Sequence, residues 1–182
     1  MIKRLRPACT AGELAKIYAK LHDHTIWQDH RQRVESTIAL AKWFGNVSSV
    51  ADLSCGDGYI IDAIDSPVKF RGDFAPGYDI CGAIEETIHE IPYVRLFICS
   101  ETIEHVDDPI SVLKAIRRKA RYLILTTPNG EENADNPQHY WGWDMAGMKS
   151  LLIEAGWLPE ISTLLCFEEE SLIYNYQMWA CS

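Results

Sequence analysis

The stretch that most constrains the fold runs from Val50 to Ile60, Val-Ala-Asp-Leu-Ser-Cys-Gly-Asp-Gly-Tyr-Ile. Apolar, β-compatible residues lead into a turn with two glycines, and a helix-compatible run from Tyr59 to Ile64 follows. Strand, tight turn and helix in that order open a doubly wound α/β sheet, which binds its ligands at the carboxyl ends of the strands. Gly56 and Gly58 lack a Cβ, so the backbone can turn sharply and a ligand can come close. Asp52 and Asp57 place carboxylates beside the same turn. Two acids seat phosphate badly and a cationic or zwitterionic ligand well.

The segment from Asp52 to Gly58 resembles the Asp-Leu-Gly-Cys-Gly-x-Gly signature of class I S-adenosylmethionine-dependent methyltransferases, with Ser54 standing where the family has its first glycine. The resemblance implies a Rossmann-like α/β fold: a mostly parallel seven-stranded sheet, an antiparallel last strand and an N-terminal helical lid. It implies S-adenosyl-L-methionine as cofactor, its amino-acid end wrapped by Asp52, Ser54, Cys55, Gly56 and Gly58. Read without the resemblance, these residues also suit an ordinary glycine turn of another α/β protein.

A chain of 182 residues suffices for one domain with a sizeable core and hardly for two. We therefore expect a single domain over 1–182, with a helical cap over 1–46 and a Rossmann-like core over 47–182. No apolar run approaches the roughly 20 residues of a membrane span, and polar residues follow the basic start where a secretory signal would be apolar. Cys9, Cys55, Cys81, Cys99, Cys166 and Cys181 form no CxxC pair; several lie in apolar runs and read as small core residues in a reducing, cytoplasmic setting. The net charge of −9 argues against a broad grip on nucleic acid. Arg117, Arg118, Lys119 and Arg121 cluster at a helix end, where cations are expected.

Along the chain, apolar spacing predicts helices over 12–21 and 28–44, the second with Val34, Ile38 and Ala41 facing inward. Between them lies a polar segment with His22, His24 and His30 around Trp27, the candidate substrate-facing wall. Strands are expected over 48–53, 68–73, 78–84, 94–99 and 122–127, a helix from Pro109 to about Ala120, and a long aromatic loop over 131–143. A helix over 144–155 and two strands, 161–167 and 172–181, joined by a polar turn, complete the chain. An acid at the end of the second strand of a nucleoside-binding fold accepts from ribose hydroxyls, which makes Asp73 the ribose candidate. It comes only 16 residues after Asp57, and Phe74-Ala75-Pro76-Gly77 cannot form the full helix that usually follows, so that helix is expected to be trimmed to a turn. Glu85 and Glu86 stand where the family often has an acid near adenine, and Ser100 ends the fourth strand.

The second specific segment is Glu101-Thr-Ile-Glu-His105-Val, which resembles the Glu-His-Val/Leu segment of small-molecule, glycan and quinone O-methyltransferases. Methyl transfer to a hydroxyl needs alignment and removal of a proton, by a general base or a metal. Glu101, Glu104, His105 and His139 are the catalytic candidates. Together with Thr126-Thr-Pro-Asn-x-Glu131-x-Asn133, the same four resemble the small-RNA 3′-terminal 2′-O-methyltransferases, where two Glu and two His bind a divalent metal. The resemblance then implies Glu101, Glu104, His105 and His139 as ligands of Mg²⁺ or Mn²⁺, with Zn²⁺ also compatible. His105 as a base without metal, or as a packed helix-cap residue, are the other readings. His30, Trp27, Tyr140, Trp141 and Trp143 would shape the acceptor pocket.

These residues point to methyl transfer onto an oxygen of a small molecule, sugar or nucleoside, with no membrane partner. The alternatives are a metal-dependent 2′-O-methyltransferase acting on an RNA 3′ end and a non-catalytic module that binds S-adenosylmethionine. A dinucleotide-binding dehydrogenase is disfavoured, because Gly-x-Gly-x-x-Gly spacing is missing after the first strand.

Overall fold

The computed structural model describes residues 1–20, 23, 28–132, 136–167 and 175–182. The helical spacing near the N-terminus becomes α1 (Ala11–Ile17) and α2 (Gln28–Ala41), and a short strand β1 (Ile2–Arg4) precedes them. Then follow β2 (Val50–Asp52), α3 (Tyr59–Asp62), β3 (Lys69–Asp73), β4 (Ile80–Cys81) and α4 (Ile84–Thr87). The second half holds β5 (Val94–Ser100), α5 (Pro109–Lys119), β6 (Ala120–Asn129), β7 (Trp141–Trp143), α6 (Met145–Glu154), β8 (Pro159–Leu165) and β9 (Asn175–Cys181).

The main sheet has the order β4-β3-β2-β5-β6-β9-β8, parallel except for β9. This is the expected seven-stranded sheet, with the antiparallel strand inserted beside β6. Its central strands alternate in what they bury, as a pleat with a period of two requires. Phe97 and Cys99 of β5 pack with Val112, Leu113 and Ile116 of α5 and Leu152 of α6 on one face. Leu96 and Ile98 pack with Ala41 of α2 and Ile60 and Ile61 of α3 on the other. Helices cover both faces, which is why the central strands read as continuous apolar runs.

The chain leaves β2 toward β3 and β4, then crosses back to β5 on the other side of β2. The switch point, where such sheets open a crevice, therefore lies between β2 and β5. At the edge of the sheet Gly72 lets β3 and β4 close up, since a Cβ on it would stand 2.9 Å from Ile80 O.

Three expectations need correction. The stretch 131–143 is not all loop, because β7 pairs antiparallel with β1 in a separate two-stranded sheet, Ile2 opposite Trp143. The strand expected over 78–84 shrinks to Ile80–Cys81, and Ile84 begins α4. On α2 the buried stripe is Asp29, Arg33, Thr37 and Ala41, with Val34 and Ile38 only partly buried. Trp27, His22, His24, Asn133 and the polar turn over 168–171 lie outside the described residues. All six cysteines are free; Cys99 and Cys181 are core residues, whereas Cys81 and Cys166 are exposed. Among the described residues no helix is long and apolar enough to cross a membrane.

Candidate active site

The loop after β2 is built by its own polar groups. Gly56 and Gly58 take φ of +55° and +83°, the left-handed region that favours glycine. Asp73, at the end of β3, reaches across to it: Oδ2 accepts from Gly56 N at 2.8 Å and Oδ1 from Ala75 N at 2.9 Å. Tyr78 donates its hydroxyl to Gly56 O at 2.9 Å. Asp52 is buried, with Oδ1 accepting from Ser54 N at 3.1 Å. Burial pushes its carboxyl up to about 7, so it titrates near neutrality. Burial also pushes the Cys55 thiol up to about 12, which removes it as a nucleophile.

Across the switch point, Thr102 Oγ1 donates to Ser100 O at 3.0 Å. Its only proton is thereby used, so in the 2.6 Å contact with Ser54 Oγ it is Ser54 that donates. The residue that departs from the family's glycine thus ties the loop after β2 to the loop after β5.

The loop after β5 carries the titratable cluster. Ile103–His105 form a 3-10 turn, and two threonines of β6 hold its acids: Thr127 Oγ1 donates to Glu104 Oε2, and Thr126 Oγ1 to Glu101 Oε1, each at 3.0 Å. Glu101 has φ of +51°, left-handed although not glycine. Such backbone costs of order 1–3 kcal/mol and collects at functional sites. Glu104 is 1 % exposed, and its Oε1 has no hydrogen-bond partner among the described residues. Burial, then the nearby Glu101 carboxylate, holds Glu104 well above the usual carboxylate range.

Two imidazoles face that acid. His105 Nδ1 donates to Gln138 O at 2.9 Å, which leaves the lone pair on Nε2, 3.9 Å from Glu104 Oε1. His139 Nδ1 donates to Glu131 Oε2 at 2.6 Å. Asn136 Oδ1 accepts from Gln138 N, so its amide nitrogen faces His139 Nε2, at 3.1 Å. The two rings meet edge to face with centroids 4.8 Å apart. One ligand atom each from Glu104, His105 and His139 lies within 4.8 Å of the others. A buried carboxylate oxygen lacking a partner beside two imidazoles fits a divalent cation. Glu101 stands outside that group of three.

Helix α2 closes this side. Arg33 Nη1 donates to Ser100 Oγ at 3.3 Å, its guanidinium lies over Tyr176, and Tyr176 donates to Asp29 Oδ2 at 2.7 Å. Ser100 Oγ and Thr126 Oγ1 are 2.8 Å apart, so a polar chain runs from Arg33 to Glu101. His30 Nδ1 accepts from Arg33 Nη2 at 3.4 Å; burial, then Arg33, keeps His30 below its ordinary range.

No protein-family model matches the sequence, and no curated protein matches it. Solved structures do match. A Burkholderia thailandensis 1,6-didemethyltoxoflavin N1-methyltransferase, solved with its substrate and S-adenosylhomocysteine, superposes with a TM-score of 0.74 at 15% identity over 99% of this chain and 93% of that one. An S-adenosylmethionine-dependent methyltransferase of Leishmania major gives 0.72 at 14% identity over 94% and 82%. The N-methyltransferase NodS of Bradyrhizobium japonicum, bound to S-adenosylhomocysteine, gives 0.68 at 9% identity over 93% and 96%. The chain has the class I methyltransferase fold. In that fold the glycine turn, Asp73 and the exit of β5 share one edge of the sheet, as the sequence motifs require.

Within this methyltransferase fold, Asp52, Ser54, Cys55, Gly56, Gly58, Asp73 and Ser100 gather along the switch point. Glu85 is exposed in the first turn of α4. Trp143 is fully buried, packed into the core cluster. Trp141, two residues away on the same face, stacks on it with centroids 6.5 Å apart and is only partly buried; it lies under Arg4, whose guanidinium carbon is 4.8 Å from the ring. Tyr140 is 2 % exposed and gives its N–H to Glu104 O at 2.7 Å, so it braces the cluster. The sequence reading missed Arg33, Asp29 and Tyr176, and it assigned no role to Glu131, Thr126 or Thr127. The signal for Arg33 was available in the four-residue spacing of Asp29, Arg33, Thr37 and Ala41 on a predicted helix.

Proposed function

We propose that the chain is an S-adenosylmethionine-dependent methyltransferase that methylates an oxygen of a small molecule, sugar or nucleoside. The observation that carries this reading is the Ser54–Thr102 junction, which sets an acid-lined glycine turn beside the Glu104–His105–His139 cluster. When bound, S-adenosylmethionine supplies an electrophilic methyl group on a sulfonium. Asp52 complements its amino group and Asp73 its ribose hydroxyls. His105, its proton held on Nδ1 by Gln138 O, presents Nε2 to take the proton of an acceptor hydroxyl. Glu104 Oε1 stands 3.9 Å from that nitrogen, and the strained backbone of Glu101 marks the same wall.

A metal-assisted version has its own support in the partnerless Oε1 of Glu104. Glu104, His105 and His139 would hold a divalent ion once His139 Nε2 gives up the Asn136 amide, and the ion would lower the pKa of a bound hydroxyl. Two imidazoles favour Mn²⁺ or Zn²⁺ over Mg²⁺. Glu131 would then serve as the outer carboxylate that orients His139.

The test uses methyl-labelled S-adenosylmethionine and a panel of hydroxyl acceptors, including nucleosides and RNA 3′ ends. Label incorporation that falls at least about 100-fold in His105→Ala supports base catalysis at this site. Incorporation that a chelator also abolishes, and Mn²⁺ restores, selects the metal-assisted version. Labelling of no acceptor, with the cofactor demonstrably bound, favours a non-catalytic binding module.

A further inference from the structure

The N-terminal lid and both active-site histidines are joined through one residue, Gln138. Its backbone carbonyl accepts from His105 Nδ1 and its backbone N–H donates to Asn136 Oδ1, each at 2.9 Å. Its side-chain Oε1 accepts from the Tyr18 hydroxyl at 3.3 Å. Asn136, so held, gives its amide nitrogen to His139 Nε2 at 3.1 Å. Gln138 therefore fixes the tautomer of His105 directly and, through Asn136, holds the far nitrogen of His139, whose tautomer Glu131 sets.

Tyr18 caps the end of α1, and its ring lies tilted against Phe74, centroids 5.4 Å apart. Phe74 follows Asp73, whose carboxylate holds the glycine turn through Gly56 N. One lid residue thus reaches from the ribose acid to the two imidazoles. A phenyl ring would suffice for packing on Phe74. The hydroxyl, directed at the glutamine side chain, adds a directional link that packing does not need.

We propose that Tyr18 is a positioning residue that couples cofactor occupancy to the geometry of His105 and His139 through Gln138. A ligand seated against Asp73 and Phe74 displaces or fixes the Tyr18 ring, and the hydroxyl passes that change to Gln138. The Gln138 backbone then resets both imidazoles. The inference rests on the cofactor reading above and adds a route by which the acceptor end is assembled only once the donor is in place.

The experiment follows histidine imidazole resonances of the labelled full chain at fixed pH during titration with S-adenosylhomocysteine. In the wild-type chain the His105 and His139 signals shift on binding, and the remote His89 signal does not. Tyr18→Phe and Gln138→Ala each remove the side-chain link and leave the Gln138 backbone bonds. Each is expected to bind S-adenosylhomocysteine within about tenfold of wild type, the scale of one neutral hydrogen bond, and to lose more than half of both shifts. The double variant is expected to lose no more than either single one, as residues acting through one link do. A Tyr18→Phe chain with wild-type shifts, or wild-type binding that leaves both imidazoles unmoved, overturns the coupling. A wild-type chain that does not bind S-adenosylhomocysteine overturns the cofactor reading beneath it, which keeps the two failures apart.

Discussion

His139 and Glu131 form a buried imidazole–carboxylate pair, Nδ1 to Oε2 at 2.6 Å, with side chains 6 % and 2 % exposed. The pair holds the ring so that Nε2 faces away from Glu131, toward Asn136. Replacing Glu131 by Ala leaves a buried N–H with no acceptor, at a cost of about 1–3 kcal/mol. Thermal unfolding is expected to show a midpoint lowered by about 3–10 °C. Glu131→Gln keeps an acceptor oxygen and should cost less than about 1 kcal/mol. Equal losses in both variants would show that the charge, not the acceptor, matters.

Asp52 makes stability depend on pH in a direction opposite to most carboxylates. Unfolded, it titrates near 3.8; folded, burial raises it to about 7. The fold therefore binds the proton more tightly. Its contribution is fully present below about pH 4 and is lost as pH rises through 7. The ligand-free chain is expected to lose about 2–3 kcal/mol from this group between pH 5 and 8, and Asp52→Asn should remove that loss. A cationic amino group prefers the ionised acid, so S-adenosylhomocysteine affinity should rise from pH 6 to 8 in the wild type and stay flat in Asp52→Asn. Calorimetric titration at both pH values decides it.

Ser54 distinguishes this turn from the family's glycine, and its hydroxyl donates to Thr102 across the switch point. Ser54→Ala is expected to cost about 1 kcal/mol, the net worth of a neutral hydrogen bond. Hydrogen exchange should quicken in both loops, 53–58 and 101–106, although only one carries the change. Quickening confined to 53–58 would mean that the two loops are not coupled there.

Gly142 sits where β7 passes the backbone of Glu131, and a Cβ on it would overlap the Glu131 carbonyl. Backbone cannot yield as a flexible side chain can, so Gly142→Ala is expected to destabilise by about 1–3 kcal/mol. The displaced residue is the one that holds His139, so methyl transfer should fall more than stability alone explains. A chain with wild-type stability and activity would show that Glu131 has room to move.

Much of the core was legible because its signals are local. The glycine turn, the apolar runs of β5 and β6, and Pro109 after the Asp108 cap each announce an element within a few residues. The β1–β7 pair was not, since Ile2-Lys-Arg4 has no apolar alternation and is a strand only because Trp141–Trp143 lies beside it. The convergence of Glu104, His105 and His139 was legible through their motif, while Glu131 and Gln138 were not. Their roles arise from where the chain between β6 and β7 folds back, which depends on contacts distant in sequence. Arg33 escaped because polar residues on the inward stripe of α2 were read against a rule that expects apolar ones.

The central claim is that the acid-lined turn binds S-adenosylmethionine, and thermal unfolding with and without S-adenosylhomocysteine tests it most directly. A ligand at 100 times its dissociation constant adds about 2.7 kcal/mol of stability, which for a chain of this size raises the midpoint by roughly 5–10 °C. The account predicts that rise, with a smaller one in Asp73→Ala. An unchanged midpoint at millimolar S-adenosylhomocysteine would contradict it.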